Sequence, residues 1–356
     1  MTIFQAIVLG IVQGITEFIP ISSTAHLIFA ARAVGLYQGD LMRAQESTAT
    51  IAVIQLGTLL AVIVYFARDI VNILVAFTRD HIALLSGRAR QNASIDEMFK
   101  LSRDAWLGWL VILGSIPIGI VGLLFKKQIE GTFTKNLWLI ATMMIVIALM
   151  LWLAEIVGKR ERNMEQLGIR DALAVGCAQV LSLLPGASRS GSTIMGGLFV
   201  GETRETAARF SFLLSIPAIG ASGLLELREI RHLPAGSYVP LVISTLVAGI
   251  VGYASIWFLL RFLRTHSTGV FIGYRIVVGV AIIALLASGR LSPQIETPAE
   301  QTPSKITQQL AVVPYSHTLS HISISNADNY RSGSVNSPFR VEYANVVSEL
   351  SSRFHQ

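Results

Sequence analysis

The sequence predicts an all-α polytopic membrane protein. It is laid out as an inverted repeat, each half one re-entrant helical hairpin plus three transmembrane helices. Three observations carry that reading. Charged residues make up only 14% of the 356-residue chain and hydrophobic residues 52%, whereas a soluble domain carries about 25% charged residues. Six apolar runs are each long enough to cross a bilayer, which takes roughly 20 residues. Two further apolar regions are interrupted by proline and hydroxyl residues and share a layout.

The first interrupted region is 3–35, broken by Pro20 and Ser22-Ser23-Thr24. Its two pieces, roughly 14–17 residues each, rise about 21–25 Å, short of the roughly 30 Å hydrocarbon core. Proline and polar backbone at that depth are tolerated where protein or a cavity surrounds them. The region therefore reads as a hairpin whose tip lies inside the membrane. Spans at about 49–67, 107–125 and 136–156 complete a first repeat, 1–157. The second interrupted region is 171–201, broken by Pro185-Gly186 and Ser188-Arg189-Ser190. Spans at about 206–226, 238–260 and 270–288 complete a second repeat, 158–290.

Gly10, Gln13 and Ser22 match Gly176, Gln179 and Ser188, each 166 positions later. Three spans per copy is an odd number, so the second copy is expected upside down relative to the first. Such repeats place their sites where broken helices meet. Residues 291–356 are rich in Ser, Thr, Gln, Asn and Pro. They bury too little apolar surface to offset their ordering entropy, and a disordered polar tail is expected.

The net charge of +6 sits mainly between apolar runs, which suits loops beside anionic headgroups and not a nucleic-acid partner. With residues 1–48 on one side, the opposite side carries thirteen basic residues against seven. The thirteen-residue side is expected to be cytoplasmic, with both termini outside. The single cysteine, Cys177, excludes an intrachain disulfide and reads as a small packing residue. Met1-Thr2-Ile3-Phe4 has no basic n-region, so the first helix is expected to remain in the mature protein.

Each interrupted region carries very few ionisable groups. From Ile3 to Ala31 they are Glu17 and His26; from Ala174 to Gly201 Arg189 is the one formal charge. Ionisable groups at membrane depth are costly and mark function or pairing. An acid in one hairpin and a base in the other point to a shared polar site. Gln13 and Glu17 lie four apart on one helix face. Ser23 and His26, three apart, have the spacing of a hydroxyl nucleophile and its base. Glu17 would orient the imidazole or hold a divalent cation. The simpler alternative is that Ser22, Ser23 and Thr24 only cap a helix, and Ser22 is expected to cap. The run Ser188-Arg189-Ser190-Gly191-Ser192-Thr193 opens a helix, where backbone N–H groups favour an anion. Arg189 can donate to two phosphate oxygens at once. The simpler alternative here is an Arg189–Glu17 pair that serves assembly alone. Arg275 in the last span is a weaker candidate. Gln55 and Gln179 read as inter-helix hydrogen-bonding groups, and the histidines other than His26 as surface residues.

These motifs resemble the undecaprenyl-diphosphate phosphatase family, also known for bacitracin resistance. Gln13 and Glu17 match its first motif, and Ser22, Ser23, Thr24 and His26 its Ser-Ser-Thr-x-His stretch. Pro185, Gly186, Ser188, Arg189, Ser190 and Thr193 match its Pro-Gly-x-Ser-Arg-Ser-x-x-Thr motif. The resemblance covers about residues 1–290. Ala25 and Ile51 depart from it, standing where many members carry Gly and an acid.

The resemblance implies hydrolysis of undecaprenyl diphosphate to undecaprenyl phosphate and inorganic phosphate. That reaction recycles the lipid carrier for peptidoglycan synthesis. In this reading Glu17, Ser23, His26 and Arg189 are catalytic. Gln13, Ser22, Thr24, Ser188, Ser190 and Thr193 bind phosphate. Either Ser23 or His26 is the nucleophile. The resemblance also implies a divalent cation, magnesium first and calcium as the alternative, with Glu17 as its candidate ligand. The expected setting is the bacterial inner membrane, with the site open to the periplasmic side. Expected partners are the polyprenyl diphosphate, membrane lipids and, as an open option, a second copy of the chain. The inverted repeat also suits a transporter or lipid flippase.

Overall fold

The structure, a computed structural model, describes residues 1–36, 44–86, 101–125, 136–226 and 238–293. The tail expected over 291–356 lies outside the described residues from 294 onward. Eleven α-helices make up the described chain: α1 (Ile3–Phe18), α2 (Ser23–Ala33), α3 (Ala44–Tyr65), α4 (Ala67–Leu85), α5 (Arg103–Leu124), α6 (Leu137–Val157), α7 (Ile169–Val180), α8 (Arg189–Phe199), α9 (Arg204–Glu226), α10 (Tyr238–Leu263) and α11 (Gly269–Ala287).

Five of these, α5, α6, α9, α10 and α11, are long and apolar enough to cross a membrane. The remaining expected span, about 49–67, differs. Its helix is α3, and the chain bends by 73° at Phe66 into α4. Between the spans expected at about 49–67 and 107–125, where the sequence predicts a loop, lies the 19-residue α4. Paired charges near its two ends, Arg68-Asp69 and Arg79-Asp80, mask a helical apolar stripe. That stripe packs on α5: Ile73 and Phe77 contact Gly108. His81, expected on the surface, is half-buried here. It accepts a 3.0 Å hydrogen bond from the Trp109 indole.

Both interrupted regions are helical hairpins, α1–α2 and α7–α8. Thr2 and Gln5 start α1 with a reciprocal capping box. Gln5 donates to the Val34 carbonyl at 2.9 Å, tying the start of α1 to the end of α2. Asp171 accepts from Gly168 N at 2.7 Å in the first turn of α7. Arg162 then links that turn to the end of α8. It binds Asp171 Oδ1 at 2.6 Å while its backbone pairs with Gly201 and Glu202. α2 runs from its tip towards the start of α6, where Ala25 and Ile28 pack with Leu137, Ile140 and Ala141. α8 runs from its tip towards the end of α6, where Leu198 meets Gly158.

Small residues let the helices approach closely, as in membrane interiors. α1 packs on α10, α10 on α3, α5 on α7, and α6 on α11. A Cβ at Gly57 would overlap the Thr245 carbonyl, and one at Gly176 the Gly114 carbonyl. Large apolar side chains such as Leu123, Ile250 and Val277 remain exposed, forming the surface expected of a lipid-facing belt. Cys177, read as a packing residue, is exposed on α7.

Candidate active site

The two hairpin tips meet. α1 ends at Phe18 because Ile19 turns to extended backbone before Pro20. α7 passes through a short 3-10 turn, Leu181–Leu183, before Pro185 and Gly186. Each second half-helix is entered through a serine in left-handed backbone: Ser22 with φ 80° and Ser188 with φ 69°. Non-glycine residues avoid that region, and such strain gathers at functional sites. These two serines are the pair matched in the repeat. Gly186, with φ 92°, packs so close to the Ile140 carbonyl that a Cβ would collide with it.

Glu17 and Arg189 are brought together. Arg189 Nη2 lies 2.7 Å from Glu17 Oε1, and both side chains are largely buried. Gln13 donates to Glu17 Oε2 at 2.8 Å, while its own Oε1 is buried and unpartnered. The carboxylate is thus held at both oxygens.

A cavity of about 570 Å³ opens beside this pair. Glu17, Ser23, Thr24, Ser188 and Arg189 line it, as do Ser115, Ser182 and Ser222. Gly119 and Gly122 of α5 face Pro217, Ala218 and Ala221 of α9 along its apolar wall. Gln55, expected as an inter-helix hydrogen-bonding group, lines it too. Gln179 lacks the expected bond: it is buried with neither side-chain atom partnered.

Both half-helices aim their N-termini at the tips. Ser188 caps α8, accepting from Gly191 N at 3.1 Å. Ser22, expected to cap α2, makes no such bond, and its buried hydroxyl is unpartnered. The N–H groups that open α2 therefore carry no side-chain cap, leaving donors for an anion. Ser190 bonds Ser188 at 3.2 Å and the Ile19 carbonyl at 3.4 Å. Thr193 turns inward to Ser211 at 2.5 Å and is fully buried.

His26 engages neighbours other than Ser23. Its Nδ1 lies 2.7 Å from the Ser22 carbonyl and its Nε2 2.6 Å from the Tyr274 hydroxyl. Arg275 is fully buried and donates to the Pro20, Gly186, Ala187 and Met144 carbonyls at 2.9–3.2 Å. It therefore clasps the tips of both hairpins. The sequence reading gave Tyr274 no part and Arg275 only a weak one. A charge inside an apolar span was the available signal for the latter.

The bacitracin resistance protein BacA family model matches residues 6–281. The chain belongs to this family. BacA relatives named undecaprenyl-diphosphatase align over most of its length. One from Syntrophobacter fumaroxidans is 48% identical over 284 residues, covering 80% of this chain and 97% of its own. One from Chlorobium chlorochromatii is 45% identical over 82% of this chain and 100% of its own. One from Mycolicibacterium vanbaalenii is 46% identical over 82% and 99%. The matched BacA segment contains both hairpin tips, the Glu17–Arg189 pair and Tyr274-Arg275. The described residues hold no cluster of three or more His, Cys, Asp or Glu suited to a metal. Glu17 is the one carboxylate among the described residues that line the cavity. That set does not make a chelate alone, but it suits a magnesium ion, which takes one or two carboxylates and fills its shell with phosphate and water.

Proposed function

We propose that this BacA family member hydrolyses undecaprenyl diphosphate to undecaprenyl phosphate and inorganic phosphate. The observation that carries the reading is the Glu17–Arg189 pair, set by two bent helices on the wall of a mostly apolar cavity. A prenyl diphosphate has the same division, a charged head on a hydrocarbon tail. The names of the relatives support the same substrate.

In this mechanism the terminal phosphoryl group sits among the opening N–H groups of α2 and α8. Arg189 swings from Glu17 to the phosphoryl oxygens and stabilises the charge of the transition state, the main contribution in phosphoryl transfer. Ser23 lines the cavity, and its hydroxyl attacks phosphorus as its proton passes to His26. The anhydride P–O bond breaks, and undecaprenyl phosphate leaves. Water then cleaves the phosphoserine. The rival route makes His26 the nucleophile. Gln13, Ser22, Thr24, Ser188, Ser190 and Thr193 shape the cradle around the phosphate. A divalent ion, magnesium before calcium, would be held by Glu17 and neutralise phosphate charge when bound.

The proposed setting is the bacterial inner membrane with the cavity open to the periplasm. There the product recycles a carrier for peptidoglycan synthesis and the activity confers bacitracin resistance. The two hairpins, with their matched strained serines, support an inverted repeat of 1–157 and 158–290.

The test is phosphate release in detergent from farnesyl and undecaprenyl diphosphates, with and without magnesium. Arg189→Ala and His26→Ala are expected to lose nearly all turnover while remaining folded. Near-normal turnover in either would overturn this site. Substrate binding without phosphate release would favour transport or lipid flipping.

A further inference from the structure

The hydrogen bonds of His26 fix which of its nitrogens carries the proton. A backbone carbonyl only accepts, so the Ser22 carbonyl 2.7 Å from Nδ1 requires Nδ1–H. In the neutral imidazole Nε2 is then left with its lone pair. The Tyr274 hydroxyl, 2.6 Å away, donates to that lone pair. The two rings are also nearly parallel, 16° apart with centroids at 5.6 Å. The imidazole is therefore held at both nitrogens and along one face.

We infer that Tyr274 is a positioning residue for the reaction. Its hydroxyl donates to the Nε2 lone pair and, with the Ser22 carbonyl on Nδ1, keeps the ring correctly aimed. It occupies Nε2 until the Ser23 hydroxyl or the substrate's phosphoryl group takes its place. α11 is in this way a third element of the site, beside the two hairpins. The next residue, Arg275, sets the depth of both tips, so one turn of α11 positions the backbone of the site and its histidine together. The inference rests on the reading that His26 acts in catalysis.

A purely structural role does not need the hydroxyl. Tyr274 is 42% exposed, and a phenylalanine would keep the same ring contact. Its hydroxyl is spent on one bond, to a histidine 248 residues away in sequence. Hydrogen-bond partners of this kind fix the orientation of a histidine.

The test is Tyr274→Phe, which removes one oxygen and keeps the ring. Its kcat on farnesyl diphosphate is expected to fall about 10- to 100-fold, the range found when a histidine's orienting partner is lost. KM and the melting temperature are expected to stay near the parent values. In the parent protein, 15N spectra of labelled histidine should show His26 with protonated Nδ1 and bare, hydrogen-bonded Nε2. In Tyr274→Phe the proton should stay on Nδ1, and the Nε2 resonance should shift to that of a nitrogen without its hydroxyl donor. Unchanged kcat in Tyr274→Phe, alongside an inactive His26→Ala, overturns the role of Tyr274 and leaves that of His26 standing. Full turnover in His26→Ala overturns both. A loss in Tyr274→Phe that tracks melting temperature, with kcat per folded molecule unchanged, also overturns the proposal.

Discussion

Two buried glutamates show how differently one side chain can be stabilised. Glu17 has a guanidinium on one oxygen and an amide on the other. Glu202, at the junction of α8 and α9, is fully buried with neither oxygen partnered. Burial first, and then the nearby Asp171 carboxylate, push its pKa up to about 8, against a smaller opposing pull from Arg162. The folded protein thus keeps the proton of Glu202 to about pH 8, while the unfolded chain releases it near 4.5. The unfolded state then binds fewer protons between those values, and stability falls as pH rises. This contribution is complete below about 4.5 and lost through about 8. Glu202→Gln is expected to remove that slope and to melt at higher temperature than the parent near pH 8.5. Melting curves of the detergent-solubilised protein at several pH values check it, and parallel profiles for the two proteins would refute it. Nothing in the sequence set Glu202 apart, because its isolation arises only when the loops around Arg162 and Gly201 close over it. Glu17 and Arg189 were legible for the opposite reason: each is a formal charge in an apolar stretch, and such charges seek each other.

The hairpins were legible as elements because Pro20 and Pro185 break apolar stretches too short in each part to span. How their tips are held was not, since the Arg275 contacts are to backbone carbonyls, which leave no trace in residue type. α4 was missed because its paired charges lower local hydropathy although its Ile73 and Phe77 face α5. Arg275 reaches Pro20 of one hairpin and Gly186 and Ala187 of the other. A planar fork with five donors can satisfy several carbonyls at once, whereas an ammonium is a point charge with three. Arg275→Lys keeps the charge and loses the span between the tips. Buried carbonyls left unpaired cost about 1–3 kcal/mol each. The variant is expected to melt lower and to lose at least about tenfold in turnover, in the way small misplacements at a site cost rate. Arg275→Lys with parent-like kcat would mean that charge, not reach, is what this position supplies.

The whole molecule has two ends, and hydrogen bonds define them. At one end Leu137 N donates to the Pro293 carbonyl at 2.8 Å, joining the start of α6 to the chain after α11. At the other, Glu155 at the end of α6 binds Arg160, Arg204 and Thr268, while Arg264 pairs with Glu205. The basic residues counted on the thirteen-residue side of the sequence include Arg160, Arg204 and Arg264, and these gather at this second end. Excess Lys and Arg in short loops faces the cytoplasm. The first end, where α2 finishes, is therefore expected outside. α11 separates two exposed serines, Ser267 before it and Ser292 after it. Serine and cysteine differ little in size, so each can carry a thiol without disturbing the helix. Cys177 is exposed and would confuse the readout, so the background is Cys177→Ser. A membrane-impermeant maleimide on intact cells is expected to label Ser292→Cys and to spare Ser267→Cys until the membrane is opened. The reverse pattern would put the mouth of the first hairpin in the cytoplasm and turn the cavity's proposed access around. Equal labelling of both in intact cells would mean that α11 does not separate the two compartments, which its 19 apolar-rich residues require it to do.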